Sequence, residues 1–286
     1  MGYVGAIFRP PSEADSLILQ VTVGCSHNHC TFCTMYKDKK FALKPVAEIK
    51  EDLLSATQWP YFRRVFLADG DALAAPTDYL LNILELIQTL HPQVNRVGIY
   101  ASPKSILTKS VQELHLLKEK GLGIAYLGLE SGSDLILKKI NKGVDSQAMI
   151  DAAEKVKAAG LLLSVTIING LGGKGLWQEH AQATARVLTA MQPHYLGALT
   201  LMLDPAAPLY QEVLQGTFQP IDERTLLAEL ELLLSQVELE NCIFRSNHAS
   251  NLFVLKGTLN RDRDHLLAQI RQAPEQIQRF GWIPRL

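Results

Sequence analysis

The sequence predicts an α/β protein: a partial, parallel, TIM-like (βα)6 barrel followed by an α-rich C-terminal extension. Three observations carry that prediction. Short runs of Val, Ile and Leu alternate with helix-length amphipathic stretches. The connections are short, which implies a parallel sheet with right-handed crossovers. The residues with chemistry to offer follow directly on strand-like runs, where α/β folds gather ligands. Six units are fewer than the eight of a closed barrel, so a doubly wound open sheet is the alternative.

The elements follow in order. Leu17 to Val23 is an aliphatic, β-branched run ending at Gly24. Pro45 to Thr57 has helical spacing, with Val46, Ile49, Leu53 and Leu54 on one face and Pro45 at the first turn. Val65 to Ala68 is a strand ending at Asp69-Gly70-Asp71, and Asp78 to Leu90 is a helix closed by His91-Pro92. Val97 to Ala101 is a strand, and Ser110 to Lys120 a helix stopped by Gly121. Gly123 to Leu129 runs into Glu130-Ser131-Gly132-Ser133, where Ser133 suits the N-cap of a helix over Asp134 to Ile140. Gln147 to Ala159 is a helix stopped by Gly160, and Leu161 to Ile168 a strand entering Asn169-Gly170-Leu171-Gly172-Gly173. Leu176 to Met191 is a helix and Tyr195 to Leu203 a sixth strand. Beyond Pro205 the alternation stops: one long helix over Asp222 to Glu240, a short strand over Cys242 to Arg245, and a helix over Arg261 to Gln272. We therefore expect a core over 1–205 and an extension over 206–286 packed on its substrate side.

Hydrophobic residues make up 47% and charged residues 20% of the 286, and the formal net charge is -1. That is the profile of an ordinary globular protein, with no basic field to attract nucleic acid or an acidic membrane. No apolar run reaches the roughly 18 residues of a membrane span. The N-terminus lacks the basic and apolar regions of a secretory leader. A cytoplasmic location is the expectation, and in a reducing compartment clustered cysteines bind metal more often than they form disulfides.

Cys25, Cys30 and Cys33 crowd into nine residues of a chain with four cysteines. Soft thiolates in such a cluster hold zinc or an iron–sulfur cluster. Three protein ligands leave one metal position open, and an open position is where chemistry happens. Structural zinc with a histidine as fourth ligand is the other reading; His27 and His29 lie inside the loop, but their spacing strains coordination together with all three thiolates.

The run Cys25-x4-Cys30-x2-Cys33 after a first strand, with Phe32 before the third cysteine, resembles the radical S-adenosylmethionine (SAM) superfamily. Asp69-Gly70-Asp71 resembles its Gly-Gly-Glu motif, with an acid in place of the first glycine. Leu127 to Asp134, with Lys138 to Gly143 beyond, is similar to the branch of methylthiotransferases, the elongator catalytic subunit and coproporphyrinogen-oxidase-like proteins. Ile167 to Gly172 resembles the glycine motif of the fifth strand. The four matches occur in the family's order, although its commonest cysteine pattern has three residues, not four, between the first two ligands.

The resemblance implies a 4Fe–4S cluster on Cys25, Cys30 and Cys33, with SAM on its open iron. It further implies SAM contacts from Phe32, Asp69, Gly70, Asp71, Ser102, Glu130, Ser164, Gly170 and Leu203. Of these, Glu130 would meet the ribose hydroxyls, the Asp69–Asp71 segment the ammonium group, and the stretch ending at Leu203 the adenine. The implied activity is reductive cleavage of SAM to a 5′-deoxyadenosyl radical that takes hydrogen from an unidentified substrate. A flavodoxin- or ferredoxin-type donor would supply the electron. A noncatalytic carrier or sensor is the alternative. One cysteine cluster argues against methylthiotransferases, which need a second; nor do we expect a cobalamin-binding or acetyltransferase-like region. Arg245, His248 and Asn251 are candidates for substrate contact, as is Tyr100 to Ser105, and Cys242 reads as a small buried hydrophobe.

Overall fold

The computed structural model describes residues 2–59 and 61–280, with side chains described to 274. In chain order its elements are β1 (Leu17–Gln20), β2 (Thr22–Val23), β3 (Ala42–Leu43), α1 (Val46–Ala56), β4 (Arg64–Ala68), α2 (Thr77–Leu90) and β5 (Arg96–Ala101). There follow α3 (Pro103–Thr108), α4 (Val111–Glu119), β6 (Leu122–Glu130), α5 (Asp134–Lys139), α6 (Ser146–Ala158), β7 (Leu162–Asn169), α7 (Gly173–Met191) and β8 (Tyr195–Thr200). The chain continues through α8 (Pro208–Leu214), α9 (Glu223–Gln236), β9 (Cys242–Ser246), β10 (Leu255–Leu259) and α10 (Arg263–Phe280).

Two compact units result. The first comprises Met1–Asn28, Met35–Leu127 and Glu154–Leu163; the second comprises His29–Thr34, Gly128–Ala153 and Ser164–Leu286.

In the first unit β1, β4, β5 and the start of β6 pair side by side and all parallel, in the registers Ile18↔Phe66, Phe66↔Gly98 and Gly98↔Ile124. Helix α2 buries Leu80, Ile83, Leu84 and Ile87, the i, i+3, i+4, i+7 stripe of a helix on a core. On the strands' other face Phe66 meets Tyr100 and Tyr126 edge-on, with ring centroids 4.7 and 5.5 Å away. Gly98 leaves room there: an added Cβ would lie 3.2 Å from Phe66 and Tyr126 and 3.3 Å from Glu13. Glu13 itself is buried and held by Arg96 at 2.6 Å and by the Tyr126 hydroxyl. The outer rim of β1 is occupied by the first described residues. The Tyr3 hydroxyl donates to Ile18 O at 2.8 Å, and the Val4 N–H to Gln20 Oε1 at 2.8 Å.

In the second unit β7, β8 and β9 are parallel, with Thr166↔Gly197↔Arg245 in register, and β10 returns antiparallel with Gly257 opposite Phe244. Val165 and Ile167 are buried whereas Thr166 and Ile168 are half-buried, the alternation of a strand with one face on a helical layer. Helix α9 packs that layer with Leu227, Leu230, Leu233 and Leu234.

The six expected strands are present. The sixth stops at Thr200 rather than Leu203, because the Thr200 N–H turns to the Ser250 hydroxyl at 3.1 Å instead of continuing a ladder. The long helix after Asp222 stops at Gln236, where Val237 takes an extended conformation. The extension also contributes α8 and a strand pair, β9 and β10, where the sequence suggested one short strand. Among the described residues no helix is long and apolar enough to cross a membrane.

Candidate functional site

The front of the cysteine loop is built by the acids after β4. Asp69 is fully buried, and its Oδ2 accepts from Gln20 Nε2 at 2.9 Å, from the Gly24 N–H at 3.1 Å and from Lys39 Nζ at 3.0 Å. Asp71, equally buried, accepts at Oδ1 from the Ser102 N–H at 2.9 Å and the Ser105 hydroxyl at 2.7 Å, while its Oδ2 takes the Ser26 hydroxyl. The two carboxylates thus grip the residues on either side of Cys25. Gly70 lies between them because nothing larger fits: an added Cβ would be 2.6 Å from the Tyr36 ring and 3.0 Å from Cys25 Cβ. Asp71 is a bracing acid, and Asp69 keeps one oxygen, Oδ1, without a hydrogen-bond partner. Ser102 is committed as well. It caps α3 by accepting from the Ser105 N–H at 3.0 Å.

The back of the loop is built by other residues. The Thr31 N–H donates to Ile140 O at 2.9 Å, the Leu209 N–H to Thr31 O at 2.9 Å, and Asn141 Nδ2 to His29 O at 3.2 Å. Thr34 reaches Asp204 at 2.7 Å, and that hydrogen bond holds the Asp204 carboxyl below its usual range. The stretch from Lys138 to Gly143 therefore has a physical role: it docks the segment that carries Cys30, Phe32 and Cys33. Cys25, Cys30 and Cys33 are half-buried, and none of them is in a disulfide.

Glu130 ends β6 with φ of 62°, a left-handed conformation that is unusual for a residue with a side chain. Its carboxylate pairs with Lys142 Nζ at 2.9 Å and folds back over Gly128, where an added Cβ would overlap Oε1. Gly132 permits close approach to α7, where its N–H donates to Thr184 Oγ1 at 2.9 Å. Gly170 follows β7 with φ of 92°, and its N–H donates to Glu229 Oε1 at 2.7 Å. Ser164 lies in β7, nearly buried; Leu203 lies three residues past the end of β8 and is half-exposed.

Of the substrate candidates, Arg245 is exposed and turned to the carbonyl of Phe244 at 2.7 Å. Asn251 spends its amide on Ala198 O, the Ser246 hydroxyl and Thr200 Oγ1, at 2.8, 2.9 and 3.1 Å. His248 Nδ1 accepts from the Ser250 N–H at 3.1 Å, so a neutral ring carries its proton on Nε2. Burial lowers the pKa of that ring.

Sequence reasoning missed two residues, His180 on α7 and Glu229 on α9. Both are fully buried and polar. Burial pushes the His180 ring down to about 4 and the Glu229 carboxyl up to about 8. Their closest approach, 3.8 Å, therefore joins a neutral imidazole to a neutral carboxyl near pH 7 and is not an ion pair. No local motif announces either one.

Among the described residues, no three or more His, Cys, Asp or Glu side chains gather into a site for a single metal ion. Three cysteines in one loop, none in a disulfide, match the thiolate chemistry of a 4Fe–4S cubane.

The pattern of the Radical SAM superfamily matches residues 19–188, more than half of the chain. The chain belongs to the radical SAM superfamily. Heme chaperone HemW of Bacillus subtilis is 18% identical over 223 residues, covering 75% of this chain and 58% of that protein. Archaeosine synthase subunit beta of Methanosarcina acetivorans is 29% identical over 153 residues, 49% of this chain and 42% of that one. The threonylcarbamoyladenosine tRNA methylthiotransferase MtaB of Rickettsia prowazekii is 25% identical over 150 residues, 49% and 34%. The chain thus spans between a third and three fifths of these relatives. Among solved structures, methylornithine synthase superposes with a TM-score of 0.54 at 17% identity, covering 95% of this chain and 83% of that one. The methyltransferase TsrM from Kitasatospora setae, with tryptophan and a SAM analogue bound, superposes with a TM-score of 0.62 at 13% identity, covering 92% and 62%. These likenesses establish the fold: α/β with a mostly parallel sheet, as in the partial barrels of the superfamily.

Proposed function

We propose that this protein is a radical SAM enzyme, with Cys25, Cys30 and Cys33 as the ligands of a 4Fe–4S cluster. When bound and reduced, the cluster supplies the electron that splits SAM into methionine and a 5′-deoxyadenosyl radical, which takes a hydrogen atom from substrate. The chain's own work is to position. Asp69 holds the Gly24 backbone and Asp71 the Ser26 hydroxyl, on the two sides of Cys25, so one ligand does not have to be ordered at the moment of loading. Glu130 offers a carboxylate for the ribose hydroxyls, held by Lys142 and supported over Gly128. Gly170 offers a backbone approach that a Cβ would hinder. Phe32, Ser102, Ser164 and Leu203 are the remaining positions we assign to the SAM surface, Ser102 through its place beside Asp71 rather than its capped hydroxyl.

The observation that carries the reading is the superfamily match over 19–188, which includes the three cysteines, both braces and Glu130. The electron would come from a flavodoxin- or ferredoxin-type partner. Anaerobic reconstitution with iron and sulfide, followed by SAM and dithionite, tests the reading by mass spectrometry of 5′-deoxyadenosine. Product that is lost in Cys30→Ala supports it. A loaded cluster without product would turn the assignment to a carrier or sensor, and tight zinc in place of a cluster would overturn the ligand set.

A further inference from the structure

A buried polar chain runs between two of the strand-end turns in the second unit. It starts at the turn after β6. The Ser133 N–H donates to Ser131 Oγ at 3.1 Å, and Ser131 Oγ lies 2.8 Å from His180 Nδ1. It passes through the ring of His180, whose Nε2 lies 3.1 Å from Ile168 O. A carbonyl only accepts, so Nε2 carries the proton and Nδ1 accepts from Ser131. Thr184, one helical turn on, accepts the Gly132 N–H at 2.9 Å from the same face of α7. The hydrogen-bonded chain ends at Ile168 O; Glu229 packs 3.8 Å from His180 Nε2 without a hydrogen bond to it, and its Oε1 accepts the Gly170 N–H at 2.7 Å.

Gly170 is the first residue past the β7–β8 ladder, which closes at Asn169↔Thr200. Its amide is buried and has no strand to pair with, so an acceptor must come from elsewhere. That acceptor is a carboxyl on α9, brought from 59 residues further along the chain. Its second oxygen, Oε2, is buried with no partner. A carboxyl half-satisfied in the interior is costly. The cost falls where α9 meets the glycine turn, against the His180 ring whose hydrogen bonds join Ile168, two residues before Gly170, to Ser131, the residue next to Glu130.

We propose that Glu229 and His180 are positioning residues that set the Gly170 turn and the Glu130 turn in one fixed relation, and that α9 thereby governs the affinity for the nucleoside part of SAM. The proposal rests on the SAM reading of those two turns. Glu229 does not touch the cofactor; it acts through the Gly170 backbone.

The test uses the reconstituted, unreduced protein, so that SAM binds without turnover, and measures SAM affinity by equilibrium dialysis. Amide exchange is followed in the same samples. Glu229→Leu removes the acceptor and weakens SAM by about tenfold or more, the effect of orphaning one buried amide. Exchange accelerates at Gly170, while iron and sulfide content stay at the wild-type level. Glu229→Gln keeps an acceptor oxygen and restores affinity to within about twofold. Leu233→Ala, a cavity in the same helix away from the turns, leaves affinity unchanged although it destabilises the fold. If Glu229→Leu does not fold, Ser131→Ala breaks the other end of the chain and is expected to weaken SAM in the same direction. Wild-type affinity in Glu229→Leu or Ser131→Ala, or an equal loss in Leu233→Ala, overturns the proposal alone. A loaded wild-type protein that binds no SAM overturns both it and the function on which it rests.

Discussion

The backbone N–H of Gly24 donates to the buried carboxylate of Asp69, 3.1 Å away, so the residue before the first cysteine is tied to the end of the second parallel strand. The same carboxylate oxygen holds Lys39 at 3.0 Å, and the ammonium and the acid are both out of water. One acid thus gathers the residue before the first cysteine and a residue six positions beyond the last.

Removing that acid strands a buried cation. Asp69→Ala is expected to cost about 3–5 kcal/mol, the range for breaking one partner of a buried pair. Urea denaturation of the metal-free protein measures it. A loss below about 1 kcal/mol would show that Lys39 finds water or another acceptor.

Gly70→Ala places a methyl group 2.6 Å from the Tyr36 ring and 3.0 Å from Cys25 Cβ. We expect a loss of about 1–3 kcal/mol from overpacking, together with poorer cluster loading. Tyr36→Leu in the same chain makes room on one side and should recover part of the stability but not all of the loading. Full loading in Gly70→Ala would mean that the Cys25 backbone yields without consequence.

The four thiols should separate cleanly. Burial pushes the Cys242 thiol up to about 12, so it stays protonated and shielded, whereas the other three are only half-buried. Iodoacetamide on the native metal-free protein should label Cys25, Cys30 and Cys33 and reach Cys242 only after unfolding. Cys242→Ala should leave the cluster intact, while Ala at any of the other three positions should abolish it. Rapid native labelling at Cys242 would contradict its placement in the core.

Glu130→Ala should weaken SAM binding and leave iron and sulfide content unchanged. Lys142→Met should do less, because it frees the carboxylate without removing it. Equal SAM affinity in Glu130→Ala and wild type would take Glu130 out of the site.

Stability should fall on the alkaline side. Glu229 titrates near 8 when folded and near the ordinary 4.5 when unfolded, so above about 4.5 the unfolded chain releases a proton that the fold retains. His180 works in the opposite sense: its folded value is about 4 against an ordinary 6.5, so below 6.5 the unfolded chain takes up a proton that the fold refuses. The two slopes cancel between about 4.5 and 6.5. Between about 6.5 and 8, of these two groups only Glu229 acts, and its contribution should lower stability by about 1.4 kcal/mol per pH unit. Glu229→Gln should flatten that limb in denaturation curves taken across it. An unchanged slope would place the titration elsewhere.

The parallel units were legible because their runs are periodic. Val65 to Ala68 and the stripe Leu80, Ile83, Leu84, Ile87 announce a strand and a helix without tertiary help. Helix α3 was not legible; its six residues from Pro103 are too few for a period, and the sign of it is the capping box of Ser102 and Ser105. Strand β10 hid because Gly257 interrupts its short run Leu255–Leu259. The site was half legible. Cysteine spacing and glycine turns are local, so Cys25, Gly70 and Gly170 stand out in the sequence as candidates. The grip of Asp71 on Ser26 and Ser102, and the reach of Glu229 to Gly170, join residues far apart in sequence and leave no trace in any window.

The occupied rim of β1 has a consequence for how copies of this protein meet. A bare outermost strand is a template on which another chain can build. Here the Tyr3 phenol covers one carbonyl, at Ile18, and the Val4 backbone engages the Gln20 side chain, so irregular chain lies along that strand. Removal of residues 1–4 would bare the Ile18 carbonyl and the Gln20 amide on that strand, and is expected to raise self-association measured by light scattering.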